Sequence, residues 1–166
     1  HTNYTDGQSS IDQMARAAKK LGYSYIAITD HTQRTAVAGG LKPHDLKRQL
    51  SDINKISIKG IAILKGSEID ILEDGSLDLP DDLLKQLEIR VCSVHHNFNF
   101  SKQKQTERII RAMDNPYFNI LAHPTGRIIN KREPYNIDIE KIMLAAKERN
   151  CVLELNSYPD RLDLSD

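Results

Sequence analysis

The 166-residue sequence carries no surplus charge of either sign: Lys plus Arg and Asp plus Glu each total 23. No global basic field therefore draws the chain to nucleic acid, so any such contact must come from a local patch. Cysteine is scarce, with only Cys92 and Cys151, each inside an apolar strand-like run. That excludes a disulfide scaffold and fits buried free thiols in a reducing, cytoplasmic compartment. No apolar run approaches the ~20 residues that span a bilayer, and no signal-peptide pattern opens the sequence. Internal repeats, low-complexity tracts and linkers are missing as well. A chain of this length is expected to form a single domain, residues 1–166, with room for a proper core.

What is present is an alternation of strand-like and helix-like segments, the pattern of an α/β fold with a parallel sheet. Ser10 reads as the N-cap of a helix through Leu21, with Ile11, Met14, Ala15, Ala18 and Leu21 as its apolar stripe. Pro43 opens a second helix with Leu46, Leu50, Ile53 and Ile56 inward, and Gly60 ends it. Pro80 at a first helical position starts a short helix through Leu87. A helix over Gln103–Asp114 buries Ile109, Ile110 and Met113. Asp138 caps a last helix with Ile142, Met143 and Ala146 inward. Strands are expected over Tyr25–Thr29, Ile61–Ile69, Ile89–Val94, Phe118–Ala122 and Cys151–Leu155.

Polar, metal-ligating side chains stand where those strands end. His31 closes the first strand, Glu68 the second, His95 and His96 the third and His123 the fourth. His1 opens the chain just before the turn-like Thr5-Asp6-Gly7. Side chains alternate across a strand. His31 shares parity with Thr29 and Ala27, and His95 with Ser93, so both point to the polar side; His96 points away and is not expected to be a ligand. His31, Glu68, His95 and His123 are expected to converge at the C-terminal ends of parallel strands, as at a barrel mouth.

A lone histidine near a strand end is more often a hydrogen-bonded structural residue, but four successive strand ends are not a lone histidine. Six candidate ligands result: His1, Asp6, His31, Glu68, His95 and His123. A His/Asp/Glu set without thiolate suits Mn²⁺, Fe²⁺ or Zn²⁺. Six ligands exceed the needs of one catalytic zinc, and paired ions are the usual device for phosphate-ester hydrolysis. Arg127, Lys131 and Arg132 follow His123, while Arg34 and Arg161 follow other strand ends. Guanidinium matches phosphate oxygens bidentately, so Arg34, Arg127, Arg132 and Arg161 are candidate substrate contacts; an ordinary solvated loop is the competing reading. Glu68, His95 and Arg127 are expected to carry catalysis. Asp30 either orients His31 or caps a helix, Asp163 and Asp166 cap a following helix, Glu154 is structural, and His44 is a surface residue.

At Thr29-Asp30-His31, Gly66-Ser67-Glu68, Ser93-Val94-His95 and Ala122-His123-Pro124, order and spacing resemble the PHP (polymerase and histidinol phosphatase) domain. Ala38-Gly39-Gly40-Leu41, Asp74-Gly75-Ser76-Leu77-Asp78-Leu79-Pro80, His123-Pro124-Thr125-Gly126-Arg127, Arg132-Glu133-Pro134-Tyr135 and Arg161-Leu162-Asp163-Leu164 are similar to the C-terminal PHP domain of bacterial family X DNA polymerases. The resemblance implies a distorted seven-stranded (β/α) barrel whose mouth holds two or three divalent ions, manganese or zinc. It implies phosphoester hydrolysis, as 3′–5′ exonuclease or 3′-end processing in DNA repair, with DNA 3′ ends as partner and a polymerase domain upstream on the same chain. By the same resemblance His1 matches the second histidine of the opening His-x-His motif, and Asp6 the Asp-or-His position after it. His31, Glu68, His95 and His123 match the next four ligands, with Glu68 in the bridging place.

The resemblance also implies ligands before His1 and, in an Asp-x-His motif, after Asp166, together with the first and last strands. The ends are thus expected to be trimmed and an isolated 166-residue chain nearly inactive. Two competing functions remain open at this point: a small-molecule phosphatase such as one acting on histidinol phosphate, and a non-catalytic module that braces a polymerase.

Overall fold

The computed structural model describes residues 1–164 and shows an α/β chain. Its elements, in order, are α1 (Ile11–Lys20), β1 (Tyr25–Ile28), α2 (Pro43–Lys55), β2 (Ala62–Asp70), α3 (Asp81–Leu84), β3 (Ile89–Ser93), α4 (Lys102–Met113), β4 (Ile120–Leu121), α5 (Ile139–Glu148) and β5 (Val152–Leu153). A short 3₁₀ turn spans Ala36–Ala38. The sheet has five strands in the order β1-β2-β3-β4-β5. β1 pairs with β2, β3 with β4, and β4 with β5, all parallel. Five strands stand among the described residues against the seven that the resemblance implied. No helix among them is long and apolar enough to cross a membrane.

Two compact units divide the chain. The first comprises His1–Glu68 and Leu79–Arg90. It starts from α1, where Ser10 and Gln13 form a reciprocal cap, each side chain bonded to the other's backbone N–H; such boxes satisfy two otherwise orphaned donors. Ile11, Ala15 and Ala18 are buried as the periodicity predicts, but Leu21 is the C-cap and lies 76% exposed. α2 buries Leu46, Leu50 and Ile53, and with them Gln49. β1 and β2 run in register from Tyr25 opposite Ala62 to Ile28 opposite Lys65. The ladder continues past β1, through a bridge between His31 and Glu68. Gly66 makes the strands' close approach possible: a Cβ there would stand 2.7 Å from Ile89 Cγ2 and 2.8 Å from the Ile28 carbonyl oxygen.

The second unit comprises Ile69–Asp78 and Val91–Asp166. α4 and α5 pack against each other, and the Thr106 hydroxyl accepts the backbone N–H of Asp138 at 2.9 Å. Asp138 caps α5, accepting the Lys141 N–H at 3.2 Å. Ile109, Ala112 and Met113 of α4 and Ile142, Ala145 and Ala146 of α5 are buried. Met143, expected inward, is 52% exposed. Residues 142, 145 and 146 share one face at helical spacing, and 143 is rotated about 100° from 142. Arg108 is buried, with its guanidinium on the backbone carbonyls of Ile71, Leu72 and His96. A fork of N–H donors suits such a cluster of carbonyls, of which that of Leu72 also accepts the Gly75 N–H at 3.0 Å. Cys92 and Cys151 are free; Cys92 is buried and Cys151 half-buried.

Gly66→Ala should therefore destabilise the protein by about 1–3 kcal/mol, the usual cost of overpacking. Urea unfolding measures it; an unchanged midpoint would show that β1 and β3 can separate to admit a methyl group.

Candidate metal centre

The first ligand set is assembled from a loop and two strand ends. His1 and Asp6 lie in the irregular segment before α1, His31 just past β1, and Glu68 within β2. The imidazoles of His1 and His31 stack with centroids 4.3 Å apart and an interplanar angle of 16°. Glu68 Oε2 stands 3.3 Å from His1 Nε2 and 3.7 Å from His31 Nδ1. Asp6 is more exposed, with carboxylate oxygens 3.8 Å from His1 Nδ1 and from His31 Nε2. One donor atom each from His1, His31 and Glu68 lies within 4.8 Å of the other two. Bonds of about 2.0–2.2 Å from imidazole nitrogen and carboxylate oxygen to zinc put neighbouring ligands about 3–4 Å apart. The residues therefore fit one divalent ion with small side-chain movements.

Asp30 holds this set without belonging to it. Its carboxylate is fully buried. It accepts the Thr2 N–H at 2.6 Å, the Thr2 hydroxyl at 2.7 Å, the Thr5 hydroxyl at 2.5 Å and the Gln49 amide at 2.6 Å. Thr2 follows His1 and Thr5 precedes Asp6, so these bonds fix the loop that carries both candidate ligands. The backbone closes the same loop: Thr5 and Gly7 N–H both donate to the Thr2 carbonyl at 3.0 Å. Tyr4 adds a bond from its hydroxyl to Asp52 of α2 at 2.5 Å. Of the two roles considered for Asp30, orienting His31 and capping a helix, the bonds formed support neither; it anchors the loop. Gln49 was missed, although Leu46, Gln49, Leu50 and Ile53 occupy one helical stripe.

The second unit brings His95 and His123 together, ring centroids 5.3 Å apart and tilted by 55°. His95 Nδ1 lies 3.1 Å from Asp70 Oδ1, and Ser93 Oγ is 3.3 Å from the same nitrogen. His123 sits at φ 27°, a left-handed value that costs a non-glycine residue of order 1–3 kcal/mol. Its N–H donates to Glu154 Oε2 at 2.6 Å, and Asn156 donates to the same oxygen at 3.2 Å. Glu154 therefore has the partners a carboxylate in this position needs, as the structural reading required. The rest of the loop is held by Asp163, buried, whose carboxylate accepts the Thr125 N–H at 3.1 Å. Asp163 was expected to cap a helix; it braces this loop instead, because its own backbone is bridged to Asn156. Asp166 lies outside the described residues.

The basic candidates differ in how far they are already engaged. Arg127 donates through Nε to the Arg161 carbonyl at 2.7 Å and through Nη2 to the Leu162 carbonyl. Arg161 Nη1 returns a 3.4 Å bond to the Arg127 carbonyl. Arg132 donates to the Gly126 carbonyl at 2.7 Å, and its guanidinium carbon lies 4.4 Å from the Phe98 ring centroid. Burial, and then the charge of Arg161, lower the Arg132 pKa from its ordinary value. Lys131 pairs with Asp160 at 3.6 Å. Arg34 is exposed in the turn that follows Thr32. His44, on the surface as expected, reaches Asp45 at 3.2 Å. The His96 carbonyl is used by Arg108.

Two outcomes follow. Asp30→Ala should cost about 2–5 kcal/mol, because it strands buried donors around a lost carboxylate. Its affinity for Zn²⁺ at the first set should fall as the loop loosens; calorimetry on Asp30→Ala and Gln49→Leu tests both. The second concerns protons. The Glu68 carboxylate raises the His1 pKa above its ordinary value, with burial opposing it. In the metal-free protein the stabilising His1–Glu68 ion pair is complete below the unfolded value of about 6.5 and is lost as pH rises through the raised one. A metal ion competes with that proton, so affinity should climb from about pH 6 to pH 8. A flat profile in metal titrations would exclude His1 as a ligand.

Comparison with known proteins identifies the family. The family model described as the PHP domain matches residues 1–158. The DNA polymerase/3'-5' exonuclease PolX of Bacillus subtilis is 44% identical over 166 residues, 99% of this chain and 29% of that protein. A probable phosphatase of Thermoanaerobacter sp. is 39% identical over 153 residues, 90% of this chain and 58% of the relative. A probable phosphatase of Acetivibrio thermocellus is 33% identical over the same length, 59% of that protein. The chain thus spans between about a third and three fifths of these relatives. A family match over residues 1–158 is sufficient: the chain belongs to the PHP domain family.

Proposed function

We propose that this PHP domain is a metal-dependent phosphoesterase that hydrolyses DNA 3′ ends, working beside a polymerase domain on the same polypeptide in DNA repair in the cytoplasm. The observation that carries the reading is the His1–His31–Glu68 donor set with Asp6 at its edge. The choice of DNA is supported by the 44% identity with PolX along 99% of the chain. A small phosphate monoester is the second reading, favoured by the relatives named as phosphatases.

His1, His31, Glu68 and Asp6 would hold divalent metal in the first unit, and His95 and His123 in the second. Mn²⁺ is the ion we propose, with Zn²⁺ or Fe²⁺ fitting the same donors. When bound, such ions activate water and offset charge on phosphate oxygens. The protein's own contribution is placement. Asp30 fixes the loop of His1 and Asp6. Glu154 fixes the backbone of His123. Arg132, held by the Gly126 carbonyl and the Phe98 face, presents its terminal nitrogens to a phosphate. Arg34 and Arg161 are further phosphate contacts in this reading. Arg127 keeps Nη1 for substrate while its other nitrogens bind the Arg161 and Leu162 carbonyls.

The test pairs substrates with a variant. The full-length protein, unlike the isolated 166-residue chain, should release nucleotides from 3′-labelled single-stranded DNA with added Mn²⁺, faster than it cleaves histidinol phosphate. Glu68→Gln keeps the shape and removes the charge, so metal occupancy and hydrolysis should fall at least about 100-fold with the circular dichroism spectrum retained. Normal manganese stimulation in that variant would sink the proposal. Faster cleavage of the small ester would select the second reading.

A further inference from the structure

We infer that Asp70 is a positioning residue that fixes the tautomer of His95 and so decides which ring nitrogen meets a metal ion. The inference rests on the metal-dependent reading above and adds to it a residue outside the candidate ligand set.

Asp70 is 1% exposed, at the end of β2. A carboxylate taken out of water needs donors to offset its desolvation. Its Oδ1 lies 3.1 Å from His95 Nδ1. An ionised carboxylate only accepts, so the hydrogen of that contact sits on Nδ1. In a neutral imidazole the lone pair is then left on Nε2, and a metal ion can bind only there. Ser93 Oγ, 3.3 Å from Nδ1 and 3.5 Å from Nε2, lies along the same ring edge. The His123 ring centroid lies 5.3 Å from that of His95, tilted by 55°.

The placement has a sequence cause. Residues two apart on a strand share a face. Glu68 and Asp70 therefore leave β2 on one side, the first as a candidate ligand and the second as a support for the histidine of the next strand. The register that joins β2 to β3 here is set by the Ile71 N–H on the Ser93 carbonyl at 2.8 Å. That bond holds the strand two residues before His95 against the strand one residue after Asp70. Backbone pairing thus supplies the side-chain contact.

The experiment uses protein labelled with ¹⁵N in histidine, metal-free, on the basic side of the imidazole titration. Two-bond ¹H–¹⁵N correlations report the tautomer, and His95→Gln assigns the signal. Wild-type His95 should carry its hydrogen on Nδ1. Asp70→Asn, close to isosteric, should produce a tautomer mixture. In calorimetry with Zn²⁺ alone, one class of sites should weaken about 10- to 100-fold. A purely structural role would lower the melting temperature without moving the tautomer. Wild-type His95 with its hydrogen on Nε2 overturns the inference, and that reading needs no variant to fold. Unchanged zinc affinity in Asp70→Asn, with wild-type binding intact, overturns it too while leaving the proposed function standing. Failure of the wild-type protein to take up Zn²⁺ overturns both.

Discussion

The buried Asp30 carboxylate is the constraint on which the first ligand set depends. Residues 1–10 form no regular element, so secondary structure alone would leave His1 and Asp6 free to wander. Four donors from three residues converge on one carboxylate and remove that freedom. The helix supplies Gln49, the loop supplies Thr2 and Thr5, and the strand end supplies the acceptor. Because Asp30 precedes His31, the same strand end that delivers one candidate ligand also anchors two others.

The second ligand pair uses a different device. His123 adopts a backbone conformation that it would avoid in an unfolded chain, and Glu154 on β5's trailing residues holds its N–H there. Asp163 and Arg127 then tie the loop beyond His123 to the C-terminal segment. One set is therefore rigid because its loop is anchored from below by a carboxylate. The other is rigid because a strained turn is pinned from the side.

The strand-end positions of His31, His95 and His123 were legible in the sequence because the apolar runs before them end there, β1 at Ile28, β3 at Ser93 and β4 at Leu121. The helix caps Ser10 and Asp138 were legible because their chemistry is local. What escaped was non-local or ambiguous in kind. Asp30 was read against its sequence neighbour, whereas its partners lie up to 28 residues away. Gln49 sat in an apolar stripe whose spacing marked it as buried, but a glutamine there is easily taken for a solvated residue. Asp70 shared parity with Glu68 and could have been found by the rule that found His95. Met143 is hydrophobic, but its place about 100° around α5 from Ile142 turns it off the buried face. Arg127 was seen as a phosphate contact, but its use of two backbone carbonyls depends on where residues 161 and 162 return, which no local pattern discloses.

The first ligand set pairs two imidazoles with two carboxylates, Asp6 and Glu68, while Asp30 adds a third acidic group behind them, close enough for its charge to bear on His1. In the metal-free protein these acidic groups favour a cation over an anion at this corner, as the raised His1 pKa shows for a proton. Under the proposed phosphoesterase reading, a phosphate ester would approach that acidic corner more readily once a cation had offset its charge. Substrate binding would then depend on metal occupancy and not on substrate concentration alone.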